Sequence, residues 1–291
     1  MKIEKIGVIG AGTMGNGIAQ CFAAAGFPVV MQDLSDAALD RGRKAVETSL
    51  ARQVKKGALS EEDASAALSR ITVATELSAM ADRDLVVEAI VEKLEVKTGV
   101  IRQLDAICRA DAVLASNTSS ISLTQLAAAS AHPERVVGMH FFNPVAVMQL
   151  VEIITPAATN EQTLARALAF TKSIKKLPIV VGDGYGFYTT RVFSAYILEG
   201  AQLVAEGHDP VLVEWAGRKA GMVVPPLQVF DEVTLSLGVK GFAQGRKYGK
   251  TLDIPGVALV ETMVRELDRP GKAAGKGFYE YPADGKKKLW P

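Results

Sequence analysis

The sequence contains few of the residues that build disulfide frameworks and metal sites. Its 291 residues include 2 cysteines and 3 histidines. Cys21 and Cys108 lie in alanine-rich, helix-like segments, without a CxxC spacing or a neighbouring histidine. The sequence therefore predicts neither a disulfide nor a metal centre. Free cysteines are commonly buried, so both are expected in the core, for which a chain of this length has ample material.

An excess of charge of one sign is also absent. The 33 basic residues are balanced by 32 acidic ones, which leaves a formal net charge of +1. This balance creates no field that attracts nucleic acid or a lipid surface, and an acidic substrate needs cations placed locally. No apolar stretch approaches the roughly 20 residues of a membrane span, and the N-terminal segment lacks the plan of a signal peptide. The sequence predicts a soluble, cytoplasmic protein that binds neither nucleic acid nor membrane.

Short apolar runs alternate with longer segments of helical periodicity in the first part of the chain. This alternation is typical of βαβ units and predicts an α/β fold with a Rossmann-like, doubly wound, mainly parallel sheet. The runs are rich in Val and Ile throughout, so we expect helices to bury both faces of the strands. The predicted strands are residues 6–10, 29–33, 71–73, 85–88, 112–116, 136–140, 150–154 and 179–181.

The pattern changes behind the last predicted strand. Residues 182–187 form a glycine-rich break, and the segments that follow have helical periodicity interrupted by glycine and proline. We therefore expect a first domain over residues 1–182 and an all-helical C-terminal domain over residues 183–291. In the first domain, capping signatures predict that helices start behind Ser60 and Thr159.

A glycine-rich motif follows the first predicted strand and opens an alanine-rich helix, the context that makes it specific for a dinucleotide. It reads Gly10-Ala11-Gly12-Thr13-Met14-Gly15. Gly10 makes the turn, Gly12 admits the pyrophosphate to the backbone, and Gly15 lets the helix pack on the strand, with its N-terminus facing the phosphates. Asp33 ends the next strand about 20 residues later, where a carboxylate binds a ribose 2'-OH and repels a 2'-phosphate. The motif predicts NAD rather than NADP.

Polar residues also occur near the ends of later strands, where open parallel sheets place ligands. Ser119 lies in a Ser-Asn-Thr-Ser-Ser turn, His140 ends a strand, and Glu152 lies inside the next apolar strand, where a buried carboxylate requires a partner. Alcohol oxidation needs a base, a group that holds the base, and a donor for the reacting oxygen. Taken alone, His140 fits a core histidine slightly better than a catalytic one, and the serine-rich turn equally fits a helix cap.

Five segments together resemble one known family. GAGTMG, VVEAIVEKLEVK, SNTSS, HFFNP and LVEII have the order and spacing of the 3-hydroxyacyl-CoA dehydrogenases of fatty-acid β-oxidation and butyrate metabolism, and the resemblance covers essentially the whole chain. It implies an NAD-dependent enzyme that oxidises (S)-3-hydroxyacyl-CoA to 3-oxoacyl-CoA. It also implies a helical second domain that binds the acyl-CoA substrate and forms a homodimer.

The same resemblance implies roles for individual residues. His140 is the expected general acid/base, Glu152 its orienting partner, and Ser119 the contact of the substrate oxygen. Cofactor contacts are expected at the glycine-rich motif and at Asp33, Glu92, Lys97, Ser119 and Asn143. Substrate contacts are expected at Ser49, Lys56, Ser119 and Thr190. Lys56 and its neighbour Lys55 form a local cation pair suited to CoA phosphates, although a solvated helix face has the same appearance.

The second half departs from the pattern of the small stand-alone enzymes. Thr190 replaces a substrate-contacting amide, and Ala273 replaces a lysine that often approaches the cofactor, with Lys272 beside it. The tail GKGFYEYPADGKKKLW instead resembles the dehydrogenase part of multifunctional β-oxidation proteins. Two other functions stay open: a sugar-acid (gulonate-type) dehydrogenase of the same superfamily, and a crystallin-like protein that binds NAD without turnover.

Overall fold

The chain forms two compact units that divide between Tyr188 and Thr189, a few residues beyond the boundary expected from the sequence. The computed structural model describes residues 2–247, 249–250 and 253–291. The first unit is an α/β structure and the second is mainly helical, as predicted. Within the described residues, every helix is too short or too polar to cross a membrane.

One sheet of eight strands organises the first unit, over the residues that the structure describes. The strands are β1 (Ile6–Ile9), β2 (Val29–Gln32), β3 (Ile71–Ala74), β4 (Leu85–Glu88), β5 (Val113–Ser116), β6 (Val136–Phe141), β7 (Leu150–Thr155) and β8 (Leu177–Gly182). Their order is β3-β2-β1-β4-β5-β6-β7-β8. Only the β6–β7 pair is antiparallel among these strands. Each predicted strand is confirmed, and the reversal of order beside β1 places the ligand-binding crevice at the carboxyl ends of β1 and β4.

Helices connect these strands and cover the sheet. They are α1 (Thr13–Ala24), α2 (Asp36–Lys55), α3 (Glu61–Ser69), α4 (Leu94–Ile107), α5 (Leu123–Ala127) and α6 (Glu161–Ser173). Ser60 caps α3 by accepting a backbone N–H at 3.0 Å, as predicted. The predicted cap at Thr159 is wrong, because Asn160 accepts the N–H at the start of α6 at 2.7 Å. The Thr159 hydroxyl instead donates to the carbonyl of Val136 at 2.6 Å.

The core of the first unit surrounds the central strands. Strands β1, β4, β5 and β6 are buried along their whole length. The expectation that every strand is buried is wrong at the two edges of the sheet, where Val73 of β3 and Val180 of β8 are exposed. Cys108 lies in the core, where burial raises the pKa of its thiol to about 11. Cys21 is half-buried and packs against the core, and both cysteines are free.

The second unit is built from five described helices and a small hairpin. These elements are α7 (Thr189–Ala205), α8 (Pro210–Lys219), α9 (Pro226–Val233), α10 (Leu235–Lys247), α11 (Pro255–Arg265), β9 (Tyr279–Glu280) and β10 (Lys288–Leu289). The antiparallel β9–β10 hairpin departs from the all-helical expectation. Buried Asp231 of α9 accepts the N–H groups of Phe278 and Tyr279 at 2.8 and 2.9 Å. A Cβ at Gly277 would collide with this carboxylate, so a distant residue rather than local periodicity determines the hairpin.

Candidate active site

His140 and Glu152 form a buried pair across strands β6 and β7. The two residues are directly opposite in the antiparallel register, and His140 Nδ1 lies 2.7 Å from Glu152 Oε2. Their side chains are 7% and 0% exposed. An ionised carboxylate only accepts hydrogen bonds, so the proton of a neutral His140 resides on Nδ1. This pairing makes Nε2 the nitrogen that can take up or release a proton.

The turn behind β8 completes the surroundings of this pair. Glu152 Oε1 accepts the backbone N–H of Tyr188 at 3.0 Å. The preceding residue, Phe187, has a φ of 47°, in the left-handed region that residues other than glycine seldom adopt. The rings of Phe142 and Phe187 lie 4.5 and 5.9 Å from the His140 ring, centroid to centroid. These apolar walls lower the local dielectric and strengthen the electrostatic coupling of the pair.

Glu92 organises the loop that carries Ser119. Its Oε1 atom accepts the backbone N–H groups of Ser119 and Ser120 at 3.0 and 3.2 Å, together with the Thr118 hydroxyl. Burial acts to raise the pKa of Glu92, but the nearby Lys97 charge and these hydrogen bonds outweigh it and lower the pKa below its ordinary value. Glu92 is thus ionised at neutral pH. Ser119 itself is exposed at the tip of the loop.

Asn117 connects this loop to the strand of the His140 pair. Its side-chain oxygen accepts the N–H of Phe141, the residue after His140, at 2.8 Å. Strands β5 and β6 are parallel neighbours, so the loop with Ser119 and the end of the His140 strand share one edge of the sheet. The sequence placed Ser119 and His140 at this edge but did not single out Asn117. Its position directly behind a buried strand was the available signal.

Lys97, which the family resemblance implies as a cofactor contact, lies in a buried ion pair. Its side chain is 1% exposed and forms an ion pair at 2.8 Å with Glu88, which ends β4. The Nζ atom also lies 3.4 Å from Glu92 Oε2. Glu88 was not among the predicted site residues, although its place at the end of an apolar strand in VVEA is the same kind of signal that selected His140.

The glycine-rich loop has the geometry that the sequence predicted. Gly10 has a φ of 99°, and a Cβ there would lie 2.7 Å from the carbonyl oxygen of Ala89. A Cβ at Gly15 would collide with the carbonyl oxygen of Gly10. Gly12 precedes α1 and has no atom within 4 Å of a built Cβ. The loop is therefore closed where it packs on the sheet and open where a ligand approaches the N-terminus of α1.

Asp33 lies beside this loop, directly behind β2. Its carboxylate oxygens accept the N–H groups of Ala11 and Leu34, each at 2.7 Å. Each oxygen retains a further lone pair that can accept from a hydroxyl group. A phosphate at this position would meet a fixed negative charge.

Models of one protein family match both units of the chain. The NAD binding domain of 3-hydroxyacyl-CoA dehydrogenase matches residues 5–184, and the C-terminal domain of 3-hydroxyacyl-CoA dehydrogenase matches residues 186–281. The chain belongs to the 3-hydroxyacyl-CoA dehydrogenase family. The predicted family is thus confirmed, and with it an oxidoreductase whose cofactor is NAD.

Solved structures of other 3-hydroxyacyl-CoA dehydrogenases are similar over nearly the whole chain. The (S)-3-hydroxybutyryl-CoA dehydrogenase of Ralstonia eutropha is 36% identical, with a TM-score of 0.89 over 97% of this chain and 100% of that one. The 3-hydroxybutyryl-CoA dehydrogenase of Escherichia coli is 33% identical, with a TM-score of 0.92 over 98% of this chain and 61% of that one. The dehydrogenase part of multifunctional enzyme 1 from C. elegans is 26% identical, with a TM-score of 0.70 over 100% of this chain and 65% of that one.

The glycine-rich loop and Asp33 of this family member fit NAD in geometry and charge. The loop is open at Gly12, the first turn of α1 points its N–H groups toward that opening, and the Asp33 carboxylate is held next to Ala11. Together they offer a backbone cradle for the pyrophosphate and an acceptor for a ribose hydroxyl. Gly10, Gly12, Gly15 and Asp33 are among the residues of this chain that would hold the cofactor.

We expect NADH to be preferred over NADPH by the unmodified dehydrogenase, and Asp33→Ala to reduce this preference at least tenfold. The substitution removes the negative charge that opposes a 2'-phosphate; a tenfold change corresponds to about 1.4 kcal/mol. Catalytic efficiencies with the two cofactors measure the ratio, and Asp40→Ala, on the exposed surface of α2, is the matched control. Equal efficiencies for the unmodified enzyme would refute the role of Asp33.

The remaining predicted site residues lie in a turn behind β6 and on helices of both units. Asn143 is exposed in the turn behind β6. Ser49 and Lys56 are two helical turns apart on one side of α2, where Lys56 forms the C-terminal cap. Thr190 lies in the first turn of α7, in the second unit. In that unit, Lys272 pairs with Glu232 at 3.1 Å.

Proposed function

We propose that this protein catalyses the NAD-dependent oxidation of (S)-3-hydroxyacyl-CoA to 3-oxoacyl-CoA and the reverse reduction. The observation that carries the proposal is the buried pair of His140 and Glu152, next to the loop with Ser119. The dinucleotide motif follows β1, the loop with Ser119 follows β5, and His140 lies near the end of β6. Strands β1, β4, β5 and β6 are consecutive neighbours in the sheet. Names of similar structures, such as 3-hydroxybutyryl-CoA dehydrogenase, support the same substrate class.

In this mechanism His140 moves the proton of the substrate hydroxyl. Nε2 accepts the O–H proton as the C3–H bond breaks and a C3=O double bond forms. When bound, NAD supplies the acceptor for the hydride that leaves C3. In the reverse direction the His140 imidazolium returns the proton to the oxygen. A positioned acid/base of this kind accelerates a reaction by about 10² to 10⁴.

Glu152 and Ser119 support this proton transfer in different ways. The Glu152 carboxylate holds the Nδ1–H of His140 and stabilises the positive charge of the imidazolium. The Ser119 hydroxyl donates to the substrate oxygen and fixes its distance from Nε2. Asn143 and Glu92 contribute to the cofactor side of the site, and Ser49 and Lys56 to the binding of CoA.

The deciding experiment follows NADH consumption spectroscopically with acetoacetyl-CoA as the substrate. Turnover that is competitively inhibited by free CoA supports the proposal. Turnover of a sugar acid such as gulonate with NAD, together with no effect of CoA, would identify a sugar-acid dehydrogenase instead. NADH binding without turnover of either substrate would identify a crystallin-like, non-catalytic protein.

We propose that the enzyme accepts acyl chains longer than four carbons, because its C-terminal part resembles the multifunctional β-oxidation proteins, whose substrates include longer chains. Thr190 offers one hydroxyl donor where an amide offers two. The substrate oxygen is therefore held by another side chain or through water, and the enzyme still turns over its substrate. Burial of each added methylene contributes up to about 0.8 kcal/mol, roughly fourfold in efficiency, in an apolar pocket. Catalytic efficiency should rise from the C4 to the C6 3-oxoacyl-CoA.

Efficiencies across C4, C6, C8 and C10 substrates measure this preference. Thr190→Asn provides the comparison, because it restores the amide of the small stand-alone enzymes and should lower the C6-to-C4 ratio. A steep fall beyond C4 in the unmodified enzyme would contradict the prediction.

We propose that the protein forms a homodimer through its second unit. Ile197 of α7 and Val257 and Val260 of α11 are buried within the unit itself. Helix α8 exposes apolar side chains, with Val211 and Trp215 61% and 55% exposed. Contiguous exposed apolar residues mark interaction sites, and two copies related by a two-fold axis would cover each other's patch.

Light scattering at micromolar concentration should report the mass of two chains. Trp215→Asp should shift the equilibrium toward the monomer, whereas Trp290→Asp, outside α8, should not. A monomeric unmodified protein would refute the dimer.

A further inference from the structure

The turn behind β8 contacts two parts of the proposed site. It comprises residues 183–188, which follow the last strand of the sheet and complete the first unit. At one end, the carboxylate of Asp183 holds the start of α5, the helix that follows the loop with Ser119. At the other end, the backbone N–H of Tyr188 donates to Glu152 Oε1 at 3.0 Å. The turn therefore links the Ser119 loop to the buried pair of β6 and β7.

Asp183 accepts hydrogen bonds from three consecutive residues at the start of α5. Its Oδ1 atom accepts the N–H of Leu123 at 3.0 Å, and its Oδ2 atom accepts the N–H of Thr124 at 2.7 Å and the Ser122 hydroxyl at 2.8 Å. Burial acts to raise the pKa of Asp183, but these hydrogen bonds outweigh it and lower the pKa below its ordinary value. The carboxylate is thus ionised at neutral pH, and charge-assisted hydrogen bonds are stronger than neutral ones.

Apolar packing attaches the same turn to α5 and to the sheet. Phe187 is 4% exposed and lies in a small buried cluster. The cluster includes Ile121 before α5, Leu123 at its first position, and Ile154 of β7. Ile154 and Glu152 are two residues apart in this strand, so their side chains point to the same face of the sheet. The turn and the start of α5 therefore pack on the face to which Glu152 points.

The loop with Ser119 is held on both sides of this serine. Glu92 accepts the backbone N–H groups of Ser119 and Ser120 at 3.0 and 3.2 Å. Asp183 holds the residues that follow, at the start of α5. This second attachment fixes the loop to the segment that also binds the Glu152 carboxylate.

We propose that Asp183 is a positioning residue, which fixes the start of α5 to the turn behind β8 and so sets the distance between the Ser119 hydroxyl and the imidazole of His140. This inference rests on the proposed function, from which the roles of these two groups come. Misplacement of a reacting group by about 1 Å is enough to lower a rate on the order of 10²-fold. Because the dinucleotide motif lies behind β1, the effect of Asp183 appears in the chemical step rather than in cofactor affinity.

The test compares Asp183→Ala with the loss of a helix cap elsewhere in the first unit. Asn160→Ala is this control, because the Asn160 side chain accepts the N–H of Thr163 at the start of α6, at 2.7 Å. We expect Asp183→Ala to lower kcat with acetoacetyl-CoA 10- to 100-fold, while the NADH dissociation constant, from fluorescence titration, changes less than threefold. Hydrogen exchange of the Ser119 and Ser120 amides should accelerate at least tenfold. Asn160→Ala should lower the Tm but change neither kcat nor this exchange.

Two further variants test how Asp183 acts. Asp183→Asn keeps the size of the side chain and one acceptor oxygen, so its kcat should lie between those of the unmodified protein and Asp183→Ala. It also provides the measurement if the alanine variant does not fold. Ser119→Ala added to Asp183→Ala should cause little further loss, since residues that act in one chain of contacts are not additive. Additive losses would show that Asp183 does not act through Ser119.

Two other results would also overturn the inference. One is normal kcat in Asp183→Ala with faster exchange confined to the Leu123 and Thr124 amides, which would show that Asp183 is a helix cap and nothing more. The other is an NADH dissociation constant that rises in step with the loss of kcat. An unmodified protein that is inactive on acetoacetyl-CoA would contradict the proposed function alone, because exchange of the Ser119 and Ser120 amides still tests the anchoring of the loop.

Discussion

His140→Ala lowers kcat for acetoacetyl-CoA reduction by about 10² to 10⁴, the contribution of a positioned acid/base, and leaves NADH binding nearly unchanged. The reason is that the Nε2 atom of His140 is assigned to the substrate hydroxyl, while the dinucleotide is assigned to the loop around Gly12. Stopped-flow or steady-state rates measure the first quantity, and NADH fluorescence titration measures the second. His132→Ala is the matched control, because this imidazole is half exposed and pairs only loosely with Glu134, at 3.5 Å.

Glu152→Gln should also lower kcat, because it removes the carboxylate charge next to His140 rather than the acid/base itself. The amide oxygen can still accept the Nδ1–H of His140, but it lacks the charge that stabilises the imidazolium. We therefore expect a large loss of kcat with the fold and the NADH affinity retained. If either variant lost NADH binding in proportion to its activity, the assignment of His140 and Glu152 to proton transfer would be wrong.

Lys97→Met should lower the free energy of unfolding by about 3–5 kcal/mol, the cost of breaking a buried ion pair by removing one partner. The substitution leaves the Glu88 carboxylate, which is fully buried, without its cation. Glu88→Gln/Lys97→Met should recover most of this loss, since it removes both charges and keeps an acceptor for the Ser116 hydroxyl.

Urea unfolding at neutral pH, followed by circular dichroism, measures these differences. Lys93→Met should stay within about 0.5 kcal/mol of the unmodified protein, as is usual for exposed sites. Equal stability of the single and double variants would show that the Lys97–Glu88 pair is not the source of the loss. The stability measurement is independent of any assay of activity.

Local features of the fold were predictable because their physical causes are local. Strand β1 is a run of four buried residues, and the glycine motif behind it specifies a turn with a positive φ at Gly10 and close packing at Gly15. The apolar run and the glycine spacing that specify these features lie within one short segment of the chain. The cap at Asn160 was missed by one residue, because Thr159 and Asn160 are both good caps and the contact of Thr159 with Val136 decides between them.

Contacts between distant segments were beyond prediction from periodicity and motifs. The hairpin in the second unit depends on Asp231, which precedes Phe278 by 47 residues. Nothing in the sequence indicates that the ammonium group of Lys97 points inward toward Glu88. A buried and an exposed lysine have the same sequence pattern in the first turn of a helix. Only the packing of α4 on β4 and β5 determines which of the two it is.

The sequence by itself determined the class of fold, the dinucleotide loop and the residue types of the site. It placed His140 and Glu152 in neighbouring apolar strands and required a partner for the buried carboxylate. The tertiary structure decided that they are partners, through the antiparallel register that sets His140 opposite Glu152. Successive side chains of a strand point to opposite faces, so a shift of the register by one residue would send Glu152 to the other side of the sheet. Pairing between strands, which no single segment encodes, therefore decides whether the two residues form an acid/base pair.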